Sequence, residues 1–169
     1  VKNTHTQTRQ YRPLITALEA ATGRRVQAEP AKSYGSVIEG LLAGDIDLAE
    51  VGPASYAIAM KRGAQIDPIA SFTLQPGPAT PSSRAYHSVL ITRHDHPARD
   101  LRQLRGGTLS LTDPASTSGA ILPRQAVQRL TGVPLEAYFE RITFAGAHDR
   151  SIEAVRTGRV DATFVASNA

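Results

Sequence analysis

The segment Thr112-Asp113-Pro114-Ala115-Ser116-Thr117-Ser118-Gly119 places three consecutive hydroxyl side chains and a glycine where an apolar strand pattern gives way to a helical one. A helix start leaves several backbone N–H groups without intrahelical partners and carries positive partial charge. Hydroxyl and amide donors gathered there hold phosphate-like oxyanions without needing a buried Arg. A plain N-cap uses only one such residue, so three hydroxyls, with a glycine allowing close approach, favour an anion site. The GxxxxGK[ST] spacing is absent, which leaves nucleotide hydrolysis without support.

Other constellations are weaker. Ser118, His148 and Asp149 supply the residue types of a hydrolase set, but no GxSxG elbow accompanies them, and we expect no enzyme. His94-Asp95-His96 offers two imidazoles, yet it precedes Pro97 at a strand end, where a solvated loop is the commoner outcome, and no third ligand is evident. With zero Cys, a thiolate metal site, a Cys nucleophile and a disulfide scaffold are all excluded. No metal or cofactor is expected.

The elements that must position these groups are readable from periodicity. Helices are expected over 13–21, with Leu14, Ile15 and Leu18 on one face, and over 34–43, with Val37, Ile38, Leu41 and Leu42 inward. A third follows Gly52-Pro53 over 55–61, a short one surrounds Leu101 and Leu104, and two more cover 118–130 and 149–157. Strands are expected at 26–28, 46–51, 66–70, 86–93, 108–112, 142–144 and 160–165. Alternating strands and helices argue for an α/β protein with largely parallel sheets. Residues 75–83, rich in Pro, Ser and Gly, read as a linker, dividing the 169 residues into 1–80 and 81–169.

A self-comparison sharpens that division. The run 38–48, Ile-Glu-Gly-Leu-Leu-Ala-Gly-Asp-Ile-Asp-Leu, matches 152–162, Ile-Glu-Ala-Val-Arg-Thr-Gly-Arg-Val-Asp-Ala, once on each side of the linker. In that register Tyr34 falls on His148, each near the start of its helix. Two similar lobes would then face each other across a cleft, each offering one polar ring, and clefts are where small ligands bind.

Charge adds little. Nineteen Lys+Arg against fifteen Asp+Glu give +4, which suits an anionic partner. The basic residues are dispersed, however, and aromatics are 5% of the chain, so nucleic-acid binding is not expected. No apolar run is long enough to span a membrane.

In one order the chain carries Tyr34-Gly-Ser-Val-Ile-Glu-Gly-Leu, Gly44-Asp-Ile-Asp-Leu-Ala, Val51-Gly-Pro-Ala-Ser-Tyr-Ala, Tyr86-His-Ser-Val-Leu-Ile, Asp113-Pro-Ala-Ser-Thr-Ser-Gly and Ala147-His148-Asp149. Together these resemble the phosphonate/phosphite-binding proteins of ABC importers, a branch of the type 2 periplasmic binding proteins. The resemblance implies an α/β, two-lobed clamp that captures a phosphonate, phosphite or related oxyanion and delivers it to a membrane permease. It implies ligand contacts from Tyr34, Tyr86, Ser116, Thr117, Ser118 and His148, the last adding a charge-assisted bond when protonated. It implies a periplasmic or extracytoplasmic location, either free or membrane-anchored. It also implies a longer protein, with lobe two (81–169) nearly whole and lobe one (1–80) lacking its first strand and the chain's return. The alternative is the sensing domain of a membrane-bound kinase with the same fold. Thr4, Thr6 and Thr8 are expected in a solvated loop, and Asn168 is not assigned to the site.

Overall fold

The computed structural model describes residues 4–72 and 85–169; the expected linker lies outside them. The first half is helical: α1 (Thr4–Thr22), α2 (Tyr34–Ala43) and α3 (Pro53–Lys61). Helix α2 shows why its ends fall where they do. Ser33 accepts from the Ser36 amide while the Ser36 hydroxyl takes the Ser33 amide, a reciprocal capping box, and Gly44 closes the helix at φ 76°. Helix α3 begins with Pro53 in its first turn, where a missing N–H costs nothing.

The second half carries β1 (Ser88–Thr92), a turn of 3₁₀ helix (Arg102–Leu104), β2 (Thr108–Leu111), a widened π turn (Thr117–Ile121) continuing into α4 (Leu122–Thr131), α5 (Leu135–Tyr138), β3 (Arg141–Phe144), α6 (His148–Arg156) and β4 (Ala162–Ala166). The strands form one sheet in the order β1-β4-β2-β3. β2 runs parallel to β3 and β4, whereas β1 runs antiparallel to β4 from Ser88↔Ala166 to Thr92↔Ala162. The sheet is therefore mixed, with two of its three pairings parallel as expected and the β1–β4 edge antiparallel.

Two apolar clusters hold these parts. Leu109, Leu111, Val127, Leu135, Tyr138, Phe139 and Phe164 form the larger one on one face of the sheet, with Leu109, Leu111 and Val127 fully buried. Ile38, Ala59 and Ala64 form the smaller, helical one, to which Ala115 of the second half also belongs.

Several expectations need correction. The segments 26–28, 46–51 and 66–70 are not strands. A strand exists only as part of a ladder, and none of the three pairs with a neighbour among the described residues. The first helix begins at Thr4, so Thr4, Thr6 and Thr8 belong to a helix and not a loop, and Pro13 lies inside it. Helix α5 has no counterpart in the sequence reading: four residues are too few for periodicity to show.

Candidate functional site

At the end of β2 the backbone turns on its own polar groups. Asp113 Oδ1 accepts from the Ala115 amide at 2.9 Å, and the Asp113 carbonyl accepts from the Ser116 amide at 2.9 Å. Ser116 is extended, the N-cap, and its Oγ accepts from the Gly119 amide at 3.1 Å. Its carbonyl accepts from both Ala120 (3.1 Å) and Ile121 (3.0 Å), so the first turn is widened to a π turn. Pro123 helps explain the irregularity. It has no N–H to give the Gly119 carbonyl four residues back, and that carbonyl instead accepts from the Thr112 amide at 3.1 Å. The helix start is thereby tied to the strand end. The amides of Thr117 and Ser118 have no hydrogen-bond partner among the described residues; they are the unpaired donors the sequence pointed to.

Gly119 is required for a different reason from the one expected. A Cβ there would lie 2.1 Å from Thr112 Oγ1 and 2.4 Å from Thr112 Cβ. The close approach it permits is therefore that of Thr112, not only of a ligand.

The named residues gather on this turn from several elements. Tyr34, first residue of α2, lies near Ser116, Asp113 and Tyr86. Burial, with Asp113 and Tyr86 adding to it and Ser116 opposing, raises its phenol above the usual range. His148, first residue of α6, sets its Nδ1 3.0 Å from Thr112 Oγ1. Thr117 Oγ1 accepts from the Ala54 amide at 2.8 Å, at the start of α3. A Cβ on Gly52 would lie 3.3 Å from Thr117 Oγ1 and 3.9 Å from the Tyr86 hydroxyl, which places Tyr86 beside that same start. Ser118 is 2% exposed, and its carbonyl accepts from Ser88 Oγ of β1 at 2.6 Å. Ser116 and Thr117 thus already spend their hydroxyls as acceptors inside the protein, while none of the described donors reaches that of Ser118.

The internal repeat has a geometric basis. In α2 the amides of Asp45 and Ile46 both reach the Gly40 carbonyl (2.9 and 3.2 Å); in α6 those of Arg159 and Val160 both reach Ala154 (2.9 and 3.4 Å). Gly44 and Gly158, in matching positions, take φ of 76° and 71°. Each repeat starts with its ring at the first helical residue, and the two rings contact the same turn.

Several residues of the alternative constellations have other partners. His148 Nδ1 faces Thr112, not Ser118. His96 Nδ1 accepts from the Ala98 amide and its Nε2 lies 3.5 Å from Asp161, while Asp95 pairs with Arg93. Sequence reasoning missed Asp113, Gly52, Ala54 and Ser55, the last buried with its Oγ donating to the Ala115 carbonyl at 3.0 Å. The Gly-Pro at the start of α3 was the available signal for the last three: it marks a helix N-terminus facing the turn.

The α/β mixed sheet is that of the type 2 periplasmic binding fold, which solved structures similar to this chain share. A binding component of an ABC phosphonate transporter from Pseudomonas aeruginosa superposes with a TM-score of 0.80 at 23% identity, covering 98% of this chain and 54% of that one. PhnD1 from Prochlorococcus marinus, in complex with methylphosphonate, gives a TM-score of 0.74 at 19% identity, covering 97% and 60%. The family model for the phosphonate periplasmic substrate-binding protein of ABC transporters matches residues 2–169, and the chain belongs to that family. The phosphate-import protein PhnD of Mycolicibacterium smegmatis is 34% identical over 161 residues, covering 91% of this chain and 49% of its own length. The phosphonates-binding periplasmic protein of Escherichia coli is 31% identical over 156 residues, covering 90% and 44%. The chain thus spans about half the length of these curated relatives. Among the described residues, no helix is long and apolar enough to cross a membrane.

Proposed function

We propose that this chain supplies the anion-holding part of a periplasmic solute-binding protein that captures a phosphonate, phosphite, phosphate or similar oxyanion for an ABC permease, with no chemistry performed on it. Residues 1–80 and 81–169 act as two lobes, and Tyr34, Tyr86, Ser116, Thr117, Ser118 and His148 contact the ligand between them. The observation that carries this reading is the start of the π turn. There the Thr117 and Ser118 amides are unpaired at the positive end of a helix, and two rings from repeated helix starts flank it.

The chemistry follows from donors alone. Two amides, the Ser118 hydroxyl and a Tyr34 phenol held protonated can each donate to a ligand oxygen. A ligand bridging the turn and α2 makes contacts that exist only when the halves are together, and so favours that closed arrangement. The named relatives are import proteins, and no observation favours the kinase-sensor reading. Isothermal titration of the protein with methylphosphonate, phosphite, phosphate and sulfate tests the proposal: saturable heat is expected from at least one phosphorus oxyanion. No heat from any of them with folded protein overturns it.

A further inference from the structure

On the sheet face opposite the main core lies a cavity of about 610 Å³, lined by no residue of the turn at 112–119. Its volume is that of a small-molecule site. Arg141 of β3, Arg150 of α6 and Arg159 of the α6–β4 turn line it, with Ser110, Asp149 and Glu153. Among the described residues none of the three guanidinium groups is ion-paired. The two carboxylates offset the three arginines only in part, Glu153 lying near Arg159 but being shared with Arg156. Both Glu153 oxygens are taken by Arg156 at 2.7 Å, and Asp149 Oδ1 accepts from the Arg150 amide at 2.9 Å.

A second observation comes from β2. Leu109 and Leu111 point into the core, so the strand alternation turns Ser110 to the other face, where the cavity lies. Its hydroxyl is buried without a hydrogen-bond partner. A buried hydroxyl left unpaired is costly unless something polar meets it.

We infer that this cavity is a second anion site, distinct from the cleft, taking a small soluble anion of two or more negative charges such as inorganic diphosphate or a compact phosphate ester. Arg141, Arg150 and Arg159 bind its charge in forked, charge-assisted hydrogen bonds, and Ser110 offers a donor at the cavity wall. A cluster of only three arginines is too local for a nucleic-acid backbone.

The test is titration of the full chain with inorganic diphosphate, followed by amide and Arg Nε resonances. We expect saturable shifts at Ser110, Arg141, Arg150 and Arg159 that persist in Ser118→Ala and shrink as NaCl is raised. Arg141→Ala/Arg159→Ala should weaken binding at least tenfold without altering methylphosphonate titration. Both side chains are exposed, so folding should survive; Arg150→Gln provides an independent check and should weaken binding severalfold. Shifts confined to 116–118, or an affinity unchanged in both Arg variants, overturn the assignment.

Discussion

At the level of single residues, the three hydroxyls do different work despite being adjacent. Ser116 caps the helix beside Tyr34, Thr117 is held by the Ala54 amide, and the Ser118 hydroxyl meets none of the described donors. Ser118→Ala should therefore weaken oxyanion binding about tenfold or more, since a hydrogen bond to a charged group is worth ~1.5–3 kcal/mol, with little change in melting temperature. Ser116→Ala should lose both binding and stability, because a lost N-cap costs about 1 kcal/mol. Paired calorimetric titrations and thermal melts separate the two, and replacing His94 and His96 serves as the control that leaves binding intact. Equal stability losses at 116 and 118 would count against this division. Gly119 is the most exacting position. Gly119→Ala drives a methyl into the stem of Thr112, and overpacking of this kind costs typically ~1–3 kcal/mol. The double variant with Thr112→Ser, which keeps the Cβ and hydroxyl that the new methyl meets, should recover little of that loss in chemical denaturation.

At the level of elements, what could be read from sequence was what is local. The capping residues and glycine stops of α2, the Gly-Pro opening of α3, the start of α6 and the apolar alternation of β2 all express their structure within a few residues. So does the repeat, because Gly44 and Gly158 end their helices by the same pair of amide-to-carbonyl bonds. The segments 26–28, 46–51 and 66–70 were misread because apolar alternation reports a face and not a partner, and a ladder depends on residues far away. The turn at 112–119 was legible as chemistry but not as geometry. Nothing local announces that Thr112 fills the space beside Gly119, or that Pro123 frees the Gly119 carbonyl for the strand. The junction of β2 and β4 offers a test at this scale. Asp161 Oδ2 accepts from both the amide and hydroxyl of Thr108 at 2.7 Å, and the Asp161 amide returns a bond to Thr108 Oγ1 at 3.0 Å. Asp161→Ala should lower stability by about 1–3 kcal/mol, read from urea denaturation, whereas the exposed pair partner Glu39→Ala should cost under about 1 kcal/mol. A loss at Glu39 as large as that at Asp161 would contradict this ordering.

At the level of the whole molecule, the two halves meet through polar contacts that the linker alone could not specify. These are Tyr34 to Ser116, the Ala54 amide to Thr117, and Ser55 to the Ala115 carbonyl, with Ala115 itself packed into the helical cluster. A second tyrosine phenol ties elements within one half. In the first half, Tyr11 donates to Glu50 and meets the Phe72 ring edge-on. Burial, reinforced by the hydrogen bond to Glu50 and its negative charge, pushes the Tyr11 phenol up to about 12, and Tyr34 is also raised, burial leading. In the unfolded chain a tyrosine ionises near ~10. Because the folded values lie above the unfolded one, the stability these phenols provide is fully present below about pH 10. It is lost as pH rises from there through the folded values, since only the unfolded state releases the protons easily. Denaturation midpoints should therefore hold steady between pH 7 and 9 and fall from about pH 10 upward. The fall should be visibly shallower in Tyr11→Phe, which has no proton to release, even though that variant starts lower at pH 8 for want of the Glu50 bond. If Tyr11→Phe follows the parent curve in parallel through pH 12, the Tyr11–Glu50 contact does not persist in solution. Oxyanion binding followed over the same range in Tyr34→Phe and the parent separates the second phenol: the parent's affinity should fall toward the variant's as Tyr34 ionises, and the two should converge at the alkaline end.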